Sequence, residues 1–140
     1  VGKALSLEEM LLRDEGERLK VYLDSRGIST IGVGRNLRDT GISQDESRFL
    51  FKNDIERVRW EVGQALPWTL WMVGARRAVI YAMAFQLGTS GLLGFKKMLE
   101  AVKGQYWDAA AHEMRESLWY KQVPERAERM AKQMETGEWQ

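Results

Sequence analysis

Two carboxyl side chains, Glu15 and Asp24, stand nine positions apart in the run 14–34, D-E-G-E-R-L-K-V-Y-L-D-S-R-G-I-S-T-I-G-V-G. They flank a predicted strand at 18–22. A turn at 25–27 follows, then a second strand-like run at 28–33 that leads into Gly32-Val33-Gly34. Such a pair suits a reaction in which one acid donates a proton while the other stays ionised. Thr30 lies on the returning strand, where its hydroxyl could hold a water against Asp24. Taken alone, the same residues also suit a hydrated surface hairpin, with solvated acids and a β-branched strand residue.

The elements around this run give the acids different surroundings. Ser6-Leu7-Glu8-Glu9 has the form of a capping box, and Leu7, Met10, Leu11 and Asp14 share one helical face. A first helix is therefore predicted to end near Glu15–Gly16. That places Glu15, expected to be half-buried, at the negative end of a helix dipole, which favours the protonated acid. Asp24 opens a glycine-containing turn, where a carboxylate stays hydrated. Separating two carboxyl pKa values in this way is what distinct acid and base roles require. Gly27, Gly32 and Gly34 either supply turn geometry or leave room for something to approach the backbone.

The rest of the chain reads as mostly helical. A loop from Asn36 carries the turn signal Asp39-Thr40-Gly41, and Ser43-Gln44-Asp45-Glu46 forms a second capping box. Phe51, Ile55, Val58 and Val62 continue a long amphipathic helix that Pro67 ends. Residues 75–87 are apolar on nearly every side and predict a buried helix with Gly88 at its C-cap. Gly91 and Gly94 are expected to break the next segment. Short helices are predicted at 95–102 and 106–115, separated by Gly104. Pro124 opens a last helix running to about Met134, with Val123 a poor N-cap. Trp68 and Trp71 either join the core or form an exposed apolar patch, and His112 is expected on a helix surface.

Composition narrows the function further. The 140 residues suit one domain, and an apolar fraction of 44% supports a core. A net charge of +1 argues against nucleic acid as the main partner. With no cysteine and one histidine, neither a disulfide framework nor a thiolate or histidine metal site is expected. No apolar run approaches the ~20 residues of a membrane span. The start, Val1-Gly2-Lys3-Ala4, shows no apolar segment of a signal peptide and no initiator Met.

The run from Leu11 to Gly34 resembles the active-site segment of the phage-type lysozymes, the T4-lysozyme-like endolysins of glycoside hydrolase family 24. It carries D-E-G-x-R-L-x-x-Y-x-D from Asp14 to Asp24, then Gly27 and Thr30-Ile31-Gly32-Val33-Gly34. Arg76-Arg77-Ala78, Phe85-Gln86-Leu87-Gly88, Trp107-Asp108-Ala109-Ala110, the run from Trp119 to Ala127 and Thr136-Gly137-Glu138-Trp139 extend the likeness over nearly the whole chain.

The resemblance implies an α+β, mostly helical lysozyme-like fold in a single domain, 1–140. A small hairpin lobe (about 15–50), a connecting helix (about 43–66) and a helical lobe (about 67–140, joined by helix 5–15) are expected, with substrate between the lobes. It implies hydrolysis of the β-1,4 bond between N-acetylmuramic acid and N-acetylglucosamine in peptidoglycan. Glu15 would be the proton donor, and Asp24 and Thr30 would position and activate water. Inversion is the implied outcome, with the carboxyl groups about 6.5–9.5 Å apart. Phe85 and Gln86 match positions lining the sugar cleft, and Arg126 matches an Arg near the acid. Hydrolysis needs only water, so no cofactor is implied. The partner would be peptidoglycan glycan strands, and the protein a monomer. As an endolysin it would build up in the host bacterial cytoplasm and reach the wall through a separate membrane pore.

The chain also departs from the family. Arg35 replaces a His found in a relative and is expected to pair with Asp54, staying charged at all ordinary pH. The connection from Arg35 to the long helix is shorter, without the family's extra small helix. Met98 and Glu113 stand at positions that are small or amide residues in that relative. Two other functions fit parts of the chain. One is a catalytically inactive peptidoglycan-binding or phage structural module, which would need neither acid. The other is a membrane-disrupting helix built on Arg126, Arg129 and Lys132, which the interspersed Glu125, Glu128, Glu135 and Glu138 oppose.

Overall fold

The computed structural model describes Gly2 and residues 5–140. The reading of Val1-Gly2-Lys3-Ala4 as a start without an apolar segment falls, Gly2 apart, outside the described residues. The chain divides into two units, Val1–Leu50 and Phe51–Gln140. The architecture is α+β, with a small antiparallel sheet and a majority of helix.

In the first unit, α1 (Leu7–Glu15) starts where the sequence predicts. The Ser6 hydroxyl accepts from the Glu9 amide at 3.0 Å, and the Glu9 carboxylate accepts from the Ser6 amide at 2.9 Å. Together they satisfy amides that helix geometry leaves without partners. Gly16, at φ 71°, ends the helix and turns the chain into β1 (Arg18–Leu23). β2 (Ser29–Gly32) and β3 (Arg35–Asn36) complete a sheet of order β1-β2-β3. Tyr22 faces Thr30, which faces Asn36 in turn. The predicted hairpin is thus a three-stranded sheet, with β2 shorter than the run 28–33. A two-residue Arg-Asn strand has no apolar alternation to reveal it.

The Ser43–Glu46 capping box also forms. The Ser43 amide donates to Glu46 at 2.9 Å, and the Glu46 amide to Ser43 Oγ at 3.1 Å. It opens α2 (Gln44–Ala65), which starts in the first unit and continues into the second. Of the described residues in the first unit, only Ile28 and Thr30 are buried.

The second unit is helical. Pro67 ends α2 and begins a 3₁₀ turn, Pro67–Trp71. α3 (Gly74–Leu93) bends at Gly88, whose φ of 76° and ψ of 159° are not helical. Gly88 therefore closes the predicted segment 75–87, but the chain resumes helix at once. Gly91 does not break it, correcting the sequence reading. α4 (Lys96–Lys103), α5 (Trp107–Arg115), α6 (Leu118–Gln122) and α7 (Pro124–Thr136) follow. Val123 gives α7 no side-chain cap, and Pro124 occupies the first turn, where a missing N–H costs nothing.

The core of this unit is rich in methionine. Met72, Met83, Met98, Met114 and Met134 are all buried, alongside Val62, Ile80, Leu92 and Val102. Their flexible side chains fill gaps that short helices cannot close by regular packing. Ala110 and Ala111 on α5 and Ala127 and Ala131 on α7 are fully buried, and such small residues let helix backbones approach closely. Trp68 packs against this core whereas Trp71 is exposed, so the two tryptophans divide between the predicted alternatives.

Two arginines tie the helices. Arg76 donates to the Met134 carbonyl at 2.7 Å and the Glu135 carbonyl at 2.9 Å, and stacks over Trp107. Its positive charge meets carbonyls that α7 leaves unpaired. Arg115 holds Glu128 through two hydrogen bonds and Glu135 through a third. Tyr120 also donates to Glu128, at 2.9 Å. No single helix among the described residues is long and apolar enough to cross a membrane.

Candidate active site

The turn between β1 and β2 sets the geometry of Asp24 and Thr30. Asp24 Oδ1 accepts from the Arg26 amide at 2.8 Å and the Ile28 amide at 2.9 Å. An Asp at the head of a tight turn makes this bond pattern readily, because its short side chain reaches the amides ahead of it. The Asp24 amide in turn donates to the Ile28 carbonyl at 2.9 Å. Gly27, at φ 76°, takes the left-handed conformation that the turn demands.

This arrangement fixes the charge of Asp24. The Ile28 amide above all holds its carboxyl below the usual carboxylate range. Partial desolvation works against this, while the Arg26 amide and the Arg26 and Arg38 guanidinium groups reinforce it. Asp24 is half-buried, with Oδ1 engaged and Oδ2 bonded to none of the described residues.

Thr30 is buried at 4% exposure, and its hydroxyl donates to the Ile28 carbonyl at 2.8 Å. With its proton committed there, Thr30 Oγ1 can only accept from a further partner. Ile28 therefore organises both side chains, its amide holding Asp24 and its carbonyl holding Thr30. From sequence alone, Ile28 reads only as a strand residue. Its position four places after a turn-opening Asp is the signal that identifies it.

Glu15 is the last residue of α1, at the junction with the strand as predicted. Nothing in the first unit buries it: the side chain is exposed rather than half-buried. Its carboxyl lies against Gly34, in the turn between β2 and β3, with Oε2 3.0 Å from where a Cβ on that glycine would stand.

Arg35 does not pair with Asp54, contrary to the sequence expectation. It donates to Glu46 at 2.9 Å and to the Gly41 carbonyl at 3.2 Å. Asp54 pairs instead with Arg57, one helical turn away, at 2.7 Å. The capping box already holds the Glu46 carboxylate beside β3, so Arg35 finds an anion closer to it in the chain. The Arg35 hydrogen bond, with the Ser43 amide and hydroxyl, brings Glu46 down to about 2.

The remaining candidates belong to the second unit. Phe85 is exposed near the bend of α3 and meets Phe51 edge to face at 6.0 Å. Gln86 is half-buried, and its Oε1 accepts from Trp119 Nε1 at 3.1 Å, so its amide nitrogen remains available as a donor. Trp119 is held by an edge contact with Phe95 at 5.9 Å. Arg126, in the first turn of α7, is half-buried, and no ion pair or side-chain hydrogen bond ties it to another described residue. Met98 is core, Glu113 is half-buried and His112 is exposed on α5.

Comparison with known proteins agrees with the motif. The family model described as phage lysozyme matches residues 13–134. The pre-baseplate central spike protein Gp5 of Enterobacteria phage T4 is 33% identical across 95% of this chain, which spans only 28% of that protein's length. Probable T4-type lysozyme 1 of Dictyostelium discoideum is 31% identical, with 94% of this chain and 95% of the relative aligned. Peptidoglycan hydrolase gp36 of Pseudomonas phage phiKMV is 28% identical across 89% of this chain and 14% of its own length. With the matched region running from the end of α1 to the last turn of α7, the chain belongs to the phage lysozyme family.

Proposed function

We propose that this protein is a peptidoglycan hydrolase of the glycosidase class. It cleaves the β-1,4 bond between N-acetylmuramic acid and N-acetylglucosamine and inverts the configuration at the cleaved carbon. The observation that carries the reading is the state of the Asp24–Thr30 pair. Asp24 is held ionised with one oxygen unbonded, and Thr30 is held as an acceptor. A water between them would direct one hydrogen to Asp24 and the other to Thr30. Its lone pair is then free to attack the anomeric carbon while Asp24 takes the proton. Glu15, as the acid, gives its proton to the leaving oxygen. Phe85 offers a ring face to sugar, Gln86 an amide N–H and Arg126 a cation without a competing partner. No cofactor takes part, and the protein acts as a monomer on glycan strands. Accumulation in the host cytoplasm and release through a membrane pore complete this reading.

Likeness to a spike protein much longer than this chain favours a second reading. There the domain is a module of a larger phage protein, with or without activity.

Digestion of purified cell wall separates these readings. The proposal expects new reducing ends on muramic acid by mass spectrometry. It also expects the α-anomer first in early proton NMR spectra, because inversion at a β-linked carbon produces it. Reducing ends on glucosamine, or the β-anomer first, would overturn the bond or the stereochemistry. No product at all would support an idle module.

A further inference from the structure

The glycines of the hairpin region are not equivalent. Gly27, Gly32 and Gly34 all have positive φ, at 76°, 67° and 66°. A Cβ built on Gly27 or Gly32 meets nothing within 4 Å. A Cβ on Gly34 would stand 3.0 Å from Glu15 Oε2, 3.3 Å from its Cδ and 3.5 Å from its Cγ. The first two glycines therefore supply backbone geometry alone, whereas Gly34 also leaves room for a side chain.

That room bears on how Glu15 is held. Glu15 ends α1, and Gly16 redirects the backbone immediately after it. No hydrogen bond or ion pair among the described residues restrains the carboxyl. Within the first unit, the carboxyl occupies the space that a Cβ on Gly34 would crowd. A flexible carboxyl facing a new methyl group would swing aside by a few tenths of an ångström or more, and the backbone would stay in place.

We infer that Gly34 is a positioning residue for Glu15: its missing Cβ is the space in which the proton donor's carboxyl sits. The inference rests on the reading of Glu15 as the acid. It assigns the two glycines of Gly32-Val33-Gly34 different duties, backbone conformation at 32 and acid placement at 34.

A paired substitution tests it. Gly32→Ala and Gly34→Ala both force a side chain into left-handed backbone, and both should lower Tm by similar amounts. Only Gly34→Ala displaces the acid. On soluble glycan fragments its kcat should fall about 10-fold or more relative to Gly32→Ala, since small misplacement of a reacting group is costly. KM should stay within about twofold, because an effect on the chemical step alone leaves binding unchanged. Equal kcat per folded molecule in the two variants would overturn the inference. Glu15→Gln, assayed in the same series, tests the underlying reading separately. If it keeps wild-type activity, that reading fails. If it is inactive while the two alanine variants match, the inference alone fails. Should Gly34→Ala not fold, the pair is repeated in a Glu15→Ala background. There the inference expects Gly34→Ala to fold and to cost the same Tm as Gly32→Ala. A variant that still fails to fold would contradict it.

Discussion

The two units hold their side chains in place by different means. In Phe51–Gln140, position comes from volume: buried methionines, valines and alanines from α2 to α7 fill one core, and arginines tie the helix ends. In Val1–Leu50, only Ile28 and Thr30 among the described residues are buried, and position comes from hydrogen bonds to backbone. On the proposed reading, chemistry and stability are separable. Substituting Asp24 in the first unit should remove activity and spare the fold. Removing volume in the second should do the reverse.

Asp24→Asn gives the largest contrast between the units. An asparagine oxygen can accept the same two turn amides, though without the charge that strengthens them, so the melting temperature should fall only slightly. On the proposed reading the amide cannot take the water's proton, and the rate of reducing-end release should fall by about 10²–10⁴-fold. A large drop in Tm would mean that the ionised state, rather than the hydrogen-bond pattern, maintains the turn. Met114→Ala is the mirror experiment. Met114 is fully buried, and a deletion of that size costs about 2–5 kcal/mol in denaturant unfolding. Activity per folded molecule at low temperature should be unchanged.

The Arg35–Glu46 pair makes the stability of the first unit depend on pH. Glu46 titrates at about 2 in the folded protein, below its ordinary 4.5. A depressed carboxyl pKa adds stability above the unfolded value, and that stability fades as pH falls through the folded one. Melting temperatures of the native protein should therefore decline between about pH 4.5 and 2 more steeply than those of Glu46→Gln. Parallel curves would show that the pair contributes no pH-dependent stability. Asp54→Asn should have the smallest effect. Its partner Arg57 lies on the same exposed helix face, and such pairs contribute less than about 1 kcal/mol. Activity should be unaltered.

Much of this was legible in the residues because local rules decide it. Ser6 and Ser43 marked helix starts through their capping boxes, Pro67 and Pro124 marked an end and a start, and Asp24 and Gly27 marked the turn. The run from Asp14 to Gly34 named the family outright. What stayed hidden depends on competition between partners. Arg35 had two acids to choose from, and the nearer one was fixed by a cap whose geometry spacing does not reveal. β3 was too short to carry a pattern. Gly91 reads as a breaker, yet helix resumes after the bend at Gly88 and carries through it. Gln86 reads as a sugar-binding amide, but its carbonyl oxygen already accepts from Trp119 inside its own unit.

The proposed chemistry turns on a single proton. Glu15→Gln keeps the shape of the side chain beside Gly34 and removes the acid. Initial rates of reducing-end release from purified peptidoglycan, measured for both proteins at matched folded concentration, address it directly. The proposed mechanism requires release by the native protein and none above background for Glu15→Gln, with superimposable melting curves. Release by Glu15→Gln at a rate near wild type would contradict it.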